Sequence, residues 1–368
     1  MRGISRLARE LELSTGTISR ALNGKPGVRE STKRKVVEAA QRLGYEPNQA
    51  ARTLALGRTG SIGFMIDLDS DVASNGDSFF MGIFDGVQDA LAPHGLDLLV
   101  LPCPSRQDRF AYLDRLVRRR VADGMILSGT EQHDPRIDLL QSADVPFVTL
   151  GRSKADKDFS WIDLDFEGVA ERAVERLAAQ GHRRIALTLP FGDLNFGNVF
   201  RRAFQRALAK RNIGYDPELV FHTGLGEEDG YHLVDALLDR PEPATAVLLI
   251  FEVAAIGIYR RLGERGLWPG VDLSVIGFRD EAIIRHLRPK LTCFSVSLHD
   301  IGTALAGALL PQLAAAGQKR VAPHVHEKVV LELKAGDSDG APAWSAGGAL
   351  QSTPSAASAA ASVPRSAA

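Results

Sequence analysis

The stretch near the amino terminus that decides the fold reads Leu11-Glu12-Leu13-Ser14-Thr15-Gly16-Thr17-Ile18-Ser19-Arg20-Ala21-Leu22-Asn23-Gly24. Ser14 can cap a helix, because its hydroxyl can accept a hydrogen bond from a backbone amide of the first turn. Ile18 and Leu22 lie four residues apart, so we expect them to share the inward face of that helix. The other faces carry small or hydrogen-bonding side chains. The pattern predicts the turn and the second helix of a helix-turn-helix.

Two further helices are predicted around this unit. Apolar residues recur at three- and four-residue spacing over residues 4–11, which predicts a short amphipathic helix. A third helix follows, with Ser31 or Thr32 as its cap, Gly44 as its stop and an apolar face made of Val36, Val37, Ala39, Ala40 and Leu43. A plain three-helix bundle without a ligand is the alternative interpretation.

Charge is distributed unevenly along the 368 residues. Residues 1–60 contain twelve Lys or Arg and five Glu, a net charge of +7, whereas the whole chain has −1, which leaves −8 for the rest. A run of charge alone usually marks a solvated face. Here it coincides with the helix-turn-helix pattern, which favours nucleic-acid binding by a basic head.

From Ser61 onward, predicted strands and helices alternate in two successive series. Such alternation predicts parallel sheets with helices on both faces, hence two α/β lobes with a ligand site between them at the carboxyl ends of the strands. We assign residues 1–46 to the head and 47–60 to a linker that becomes helical only when other parts of the molecule support it. Residues 61–154 and 285–316 are expected to form an amino-terminal lobe (N-lobe), and residues 155–284 and 317–334 a carboxyl-terminal lobe (C-lobe). Residues 335–368, which are rich in Ala, Ser and Pro, are expected to form a disordered tail.

Several classes of protein and site are disfavoured. No apolar run approaches the roughly 20 residues that span a bilayer, and the chain starts without an apolar signal region, so we expect a cytoplasmic protein that does not contact membranes. Cys103 and Cys293 fit no metal-binding spacing and are expected to be buried reduced thiols. Motifs for dinucleotides, phosphate loops and nucleophile turns are missing. His324 and His326 share a strand face without an evident third ligand. We therefore expect no enzyme activity, no cofactor and no metal.

Specific motifs in the head are Thr17-Ile18-Ser19-Arg20-Ala21-Leu22-Asn23-Gly24, Arg42-Leu43-Gly44-Tyr45-Glu46-Pro47-Asn48, Ala51-Arg52-Thr53-Leu54 and Gly57-Arg58-Thr59-Gly60-Ser61-Ile62-Gly63. Looser ones in the body are Gly181-His182-Arg183-Arg184-Ile185-Ala186, Val275-Ile276-Gly277-Phe278 and Pro289-Lys290-Leu291-Thr292. With these motifs the chain resembles the lactose-repressor/purine-repressor family of bacterial transcription factors. The resemblance implies an all-α helix-turn-helix head on a two-lobed body like that of periplasmic sugar-binding proteins. It also implies a homodimer that binds a near-palindromic double-stranded DNA operator and a small carbohydrate effector.

The resemblance implies nine DNA contacts. They are the base-reading positions Thr15, Gly16 and Arg20, the phosphate-contacting or bracing positions Thr17, Ser19 and Asn23, and the linker positions Ala50, Ala51 and Leu54. Leu54 matches a leucine that wedges into the minor groove, and an inserted apolar wedge kinks the duplex there.

The effector site departs from the family pattern. Arg279-Asp280 stands where the family has paired aspartates, Phe251-Glu252 replaces an Asn-Asp pair, and Phe200 replaces an arginine. The aromatic residues can stack on sugar rings and the polar ones can bond hydroxyls, so the candidate effector contacts are Asp77, Phe79, Phe80, Arg152, Asn195, Phe196, Glu252 and Arg279.

Each candidate has a structural alternative. Phe79 and Phe80 can be core residues, and Arg152 can pair with a neighbouring acid. Arg279 either binds an anionic ligand, since a guanidinium offers donors and no acceptor, or is neutralised by Glu252 or Asp280. Resemblance of residues 150–153 and 194–196 to members that sense glucosides favours a neutral sugar.

Two functions from different classes follow. The first is a dimeric repressor that senses a sugar, with the predicted helices at 80–94 and 108–120 as its dimer surface. The alternative is an α/β enzyme that acts on a small sugar and carries an accessory DNA-binding head.

Overall fold

The computed structural model describes residues 4–22, 26–43, 58–68, 79–155, 158–224, 226–316 and 322–343. Three helices form the head: α1 (Ile4–Glu10), α2 (Thr15–Leu22) and α3 (Glu30–Arg42). They enclose a small core of Leu7, Ile18, Ala21, Val36, Ala39 and Ala40. The predicted helix-turn-helix is therefore confirmed.

Local details of the head differ from expectation in two places. The amide of Thr17 donates to Ser14 Oγ at 3.1 Å, as predicted for the cap. Helix α3, however, starts at Glu30 and has Arg29 as its N-cap, so Ser31 and Thr32 lie inside the first turn. Val37 is 42% exposed and does not join the core. Adjacent residues of a helix point in different directions, and of this pair Val36 is the one that faces inward. The predicted stop at Gly44 lies outside the described residues.

The N-lobe is built on a six-stranded parallel sheet with the strand order β11-β5-β4-β3-β1-β2. Its strands are β1 (Ser61–Leu68), β2 (Asp97–Pro104), β3 (Gly124–Leu127), β4 (Phe147–Leu150), β5 (Ser160–Leu164) and β11 (His326–Val329). Its helices are α4 (Phe79–Leu91), α5 (Arg109–Arg118), α6 (Pro135–Ser142) and α11 (Leu298–Ala315).

The C-lobe is built on a second six-stranded sheet, with the order β12-β10-β9-β8-β6-β7 and only its edge strand β12 antiparallel. Its strands are β6 (Ile185–Leu189), β7 (Val220–His222), β8 (Ala246–Leu248), β9 (Ser274–Arg279), β10 (Thr292–Ser295) and β12 (Glu332–Lys334). Its helices are α7 (Phe166–Ala179), α8 (Asn195–Lys210), α9 (Glu227–Leu238) and α10 (Ala254–Glu264). The predicted two-lobed α/β body is confirmed.

Strand pairing moves the expected lobe boundaries. Strand β5 pairs with β4 in the N-lobe sheet, although residues 155–284 were expected in the C-lobe. Strand β10 pairs with β9 in the C-lobe sheet, although 285–316 were expected in the N-lobe. Residues 317–334 were expected in the C-lobe, but they contain two strands, of which β11 joins the N-lobe sheet and β12 the C-lobe sheet. The chain therefore crosses between the lobes three times.

The ordered part of the chain extends beyond residue 334, where the disordered tail was expected to begin. Ser338 and Asp339 are buried, and the amide of Val275 donates to the carbonyl of Ser338 at 2.8 Å. We call residues 335–340 the carboxyl-terminal strap. The strap is ordered because its small polar residues form hydrogen bonds with backbone groups of β9 and β10. The rest of the expected tail, from residue 344, lies outside the described residues.

Two further expectations concern the state of the cysteines and the absence of a membrane-spanning segment. Cys103 and Cys293 are buried and form no disulfide, as predicted. Among the described residues, no helix combines the length and the apolar character that a bilayer-crossing segment requires.

Candidate DNA surface and ligand cleft

Helix α2 presents the predicted base-reading residues to solvent. Thr15, Gly16 and Arg20 are exposed, whereas Thr17 and Ser19 are half-buried. Thr17 Oγ1 lies 2.9 Å from Ser14 Oγ, which braces the start of the helix. A Cβ at position 16 would come no closer than 3.8 Å to a neighbouring atom, so the packing of the head does not demand glycine there. The outer surface of the helix is therefore free of a side chain at this position.

The side chain of Arg20 is held against its own helix by one hydrogen bond. Its Nε donates to the carbonyl of Gly16, one turn earlier, at 3.3 Å. This contact lays the side chain along the exposed face of α2. The remaining predicted DNA contacts, Asn23, Ala50, Ala51 and Leu54, lie outside the described residues.

A cavity of about 870 Å³ lies between the two lobes. Its wall includes residues at the carboxyl ends of parallel strands of both sheets, such as Asp67 near the end of β1, Ser128 after β3 and Glu252 after β8. The carboxyl edges of two parallel sheets thus meet at one site, the position at which α/β folds of this kind bind ligands.

Aromatic rings cover much of the cavity wall. Phe79 and Phe80 come from the N-lobe, and Phe166, Phe196, Phe251 and Phe278 from the C-lobe. The ring of Phe166 stacks between Phe196, at a centroid distance of 5.3 Å, and Phe278, at 4.9 Å. Flat apolar surfaces of this kind suit the C–H faces of a sugar ring. Phe79 and Phe80 also pack partly against the core, as the structural alternative predicts, and their contact with an effector stays a prediction.

Arg279 is neutralised by protein carboxylates. Its Nη2 lies 2.9 Å from Glu252 Oε1 and 3.3 Å from Glu281 Oε2, and all three side chains are buried. The guanidinium also stacks over the ring of Phe79 at 5.1 Å. Asp280, which we considered as the partner, instead pairs with Arg285 at 2.9 Å. Of the two explanations for Arg279, internal neutralisation is the one seen in this structure.

Burial changes the acidity of this cluster. Loss of water around the Glu252 carboxyl raises its pKa to about 8, against the opposing effect of the Arg279 guanidinium. A carboxyl group can donate a hydrogen bond when it is protonated and only accept one when it is ionised, so the bonds that Glu252 offers depend on pH.

Arg152 and Asn195 lie beside the cavity and not in its wall. Arg152 Nε donates to Asp163 at 2.6 Å, and its two terminal nitrogens donate to Glu167 at 2.8 Å each. The side-chain Nδ2 of Asn195 donates to the backbone carbonyl of Arg152 at 2.6 Å, and the backbone amide of Asn195 donates to the carbonyl of Thr130 at 2.9 Å. Both residues join the two lobes, which differs from their predicted role as ligand contacts, and the ion-pair alternative for Arg152 is confirmed.

Five of the predicted effector residues line the cavity, namely Phe79, Phe80, Phe196, Glu252 and Arg279. Asp77 lies outside the described residues. The sequence analysis missed Glu281 and a pair on the N-lobe side, Asp67 and Arg109. Arg109 Nη1 donates to Asp67 Oδ2 at 3.0 Å, and its Nη2 donates to Glu131. Asp67 and Arg109 could have been found from their positions in the chain, because Asp67 is near the carboxyl end of β1 and Arg109 is the first residue of α5.

Family models match two parts of the chain. Residues 4–48 match bacterial regulatory proteins of the lacI family, and residues 174–338 match a periplasmic binding protein-like domain. The chain is 34% identical to the HTH-type transcriptional regulator AglR of Rhizobium meliloti (strain 1021), over 83% of this chain and 86% of that protein. It is also 34% identical to the HTH-type transcriptional regulator RafR of Escherichia coli, over 72% of this chain and 77% of that protein.

Solved structures agree with these matches. A complex of the transcriptional regulator CelR with cellobiose has a TM-score of 0.67 at 25% identity and covers 92% of this chain and 100% of that chain. The lac repressor dimer bound to operator and the anti-inducer ONPF shares the fold, with a TM-score of 0.75 at 21% identity over 91% of this chain and 98% of that chain. The chain belongs to the LacI family of bacterial regulatory proteins and is a DNA-binding transcriptional regulator.

Proposed function

We propose that the protein is a repressor whose operator affinity is controlled by a small neutral carbohydrate bound in the cleft between the lobes. The observation that carries this proposal is the cavity itself, which combines aromatic rings from both lobes with carboxylates at the carboxyl edges of both sheets. Exposed Thr15, Gly16 and Arg20 on α2 would read the operator. The CelR–cellobiose complex supports a sugar as the effector.

The charge of the cavity wall supports a neutral ligand. Seven acidic residues and two arginines line it among the described residues. Arg279 is already paired with Glu252 and Glu281, and Arg109 with Asp67. An anion would meet a net negative surface there, whereas the hydroxyl groups of a neutral sugar carry no charge and can donate hydrogen bonds to the carboxylates.

We also propose a cytoplasmic homodimer, which is neither an enzyme nor a membrane protein. The regulators to which the chain is similar support a role in sensing over turnover. Apolar side chains protrude from the N-lobe at Met81 on α4, Leu99 and Val100 on the edge strand β2, and Phe110 on α5. A twofold contact through this face would place two heads for a near-palindromic operator.

The experiment that tests the effector class is a thermal-shift screen of neutral mono- and disaccharides, sugar acids and sugar phosphates. A ligand that binds the folded state raises the melting temperature in proportion to the logarithm of its concentration over Kd. We expect stabilisation by neutral sugars and none by sugar acids or phosphates. Stabilisation by acidic sugars alone would contradict the proposal, and turnover of any sugar in the screen would favour the enzyme alternative.

Arg20→Ala tests base reading by α2. If Arg20 contacts a guanine edge through two hydrogen bonds, its loss costs about 1–3 kcal/mol and relaxes discrimination at one base position. Arg34→Ala, which removes an exposed charge on α3, is the matched control and should weaken all sequences alike. The measurement is a binding titration against the operator and its single-base variants. Equal weakening of all sequences by Arg20→Ala would make Arg20 a phosphate contact.

A further inference from the structure

The C-lobe side of the cavity is longer than one sugar ring requires. Strands β9, β8, β6 and β7 lie side by side in the sheet, and each ends in or is followed by a residue of the cavity wall. In that order the residues are Arg279, Glu252, Phe191 and Thr223. Neighbouring strands are about 4.8 Å apart, so the wall extends over roughly 14 Å from β9 to β7. The Arg279 cluster occupies one end, and Phe191 and Thr223 form the other.

Thr223 carries an unused polar group at that far end. The side chain is 4% exposed and lines the cavity, and its hydroxyl has no hydrogen-bond partner among the described residues. Leaving a buried hydroxyl without a partner costs free energy, so such groups in folded proteins call for a bound partner. A ligand hydroxyl in the cavity would supply one.

Phe191 provides an aromatic surface at the same end of the cavity wall. The ring is 59% exposed, although it lines the cavity. It stacks on the His222 imidazole at a centroid distance of 6.2 Å, and His222 Nδ1 donates to the carbonyl of Pro190 at 2.8 Å. A single exposed aromatic ring is ordinary on a protein surface. A ring held in place at the same end of the cavity as an unpartnered buried hydroxyl offers one stacking face and one hydrogen-bonding group to a sugar ring.

We infer that Phe191 and Thr223 form a second sugar subsite, and that the effector is a disaccharide or a longer saccharide with one ring at the Arg279 cluster and the next ring here. This inference rests on the proposed function, because it assigns the size of the ligand in the same cavity. The stacking surface at Phe191 and the hydroxyl of Thr223 act on the second ring. The first ring contacts neither residue.

The test is calorimetry of the full chain with D-glucose, D-galactose, maltose, cellobiose and melibiose. The variants are Phe191→Ala and Thr223→Val, and the control is Trp268→Ala, since Trp268 is a similarly exposed aromatic residue that does not line the cavity. We expect at least one disaccharide to bind more tightly than either monosaccharide. Each subsite variant should lower that affinity by about tenfold, the usual effect of one hydrogen bond or one aromatic contact. Monosaccharide binding, and all binding by the Trp268 variant, should stay unchanged.

The outcomes separate the two claims. If a monosaccharide binds as tightly as every disaccharide, or if the two variants weaken all sugars equally, the second subsite is wrong and the proposed function stands. If neither the monosaccharides nor the disaccharides bind, the proposed function fails and the subsite fails with it.

Discussion

Arg279→Leu should lower the free energy of unfolding by about 3–5 kcal/mol at pH 8, the usual effect of removing one member of a buried ion pair. The variant leaves Glu252 and Glu281 buried without the guanidinium that now lies 2.9 and 3.3 Å from their oxygens. It also removes the cation stacked on Phe79, so we expect effector binding to be lost. Urea denaturation measures the first effect and calorimetry the second.

The sign of the pH dependence distinguishes this explanation from loss of packing. In the wild type the pKa of Glu252 is about 8 in the folded state and its ordinary value is 4.5. The folded state then binds the proton more tightly, so this group stabilises the fold at low pH, and that stabilisation is lost as the pH rises toward 8. Without Arg279 the folded Glu252 carboxyl favours the proton still more, because the guanidinium opposes the rise of its pKa. The difference in stability between variant and wild type should therefore be smaller at pH 5 than at pH 8.

Arg285→Leu is the matched control for this experiment. It also removes an arginine that pairs with a carboxylate, Asp280, but the Arg285 side chain is 61% exposed. Exposed ion pairs contribute about 0–1 kcal/mol. An Arg279 variant with a stability loss as small as the control's, or with one that does not change between pH 5 and pH 8, would contradict the buried cluster as described.

Truncation after Lys334 should destabilise the C-lobe by at least about 3 kcal/mol, because each buried polar group left without its partner costs about 1–3 kcal/mol. The truncation removes Ser338, whose carbonyl accepts from Val275 and whose Oγ accepts from the amide of Thr292 at 2.8 Å. It also removes Asp339, which accepts from Arg176 Nε at 2.5 Å and from Gln180 Nε2 at 2.8 Å. Both strands β9 and β10 lose hydrogen bonds.

A chain that ends at Ala343 is the control for the truncation, because it retains the whole strap. Its unfolding curve should superimpose on that of the full chain. Asp339→Asn is a milder test, since it removes the charge that pairs with Arg176 and keeps the shape. Equal stability of the chains ending at residues 334 and 343 would contradict a structural role for the strap.

The head and the class of the body could be predicted from sequence because their signals are local. Ser14 caps α2 and Ile18 faces the core through patterns that extend over fewer than ten residues. Alternation of strands and helices likewise predicts parallel sheets. The lobe to which β5, β10 or β11 belongs could not be read in this way. Strand pairing depends on residues far away in sequence, and an apolar strand suits either sheet.

Side-chain partners in the cleft were the hardest to predict. Glu281, which faces Arg279, is only one residue from Asp280, which faces Arg285. The direction of a side chain beyond the end of a strand is set by the local turn, and composition does not encode it. The strap was missed for a related reason. Its Ala-Gly-Asp-Ser-Asp-Gly sequence has the composition of a loop, and its burial depends on individual hydrogen bonds to β9 and β10.

The most direct test of the central claim is the affinity of the full chain for its operator with and without the sugar. The operator is first selected from random double-stranded DNA, and fluorescence anisotropy then measures Kd at fixed salt. We expect a selected sequence with dyad symmetry and a change in Kd of about 5–150-fold at saturating sugar, the usual range for coupling between two sites. Selection of no preferred sequence, or an unchanged Kd when calorimetry shows the cleft to be occupied, would contradict it.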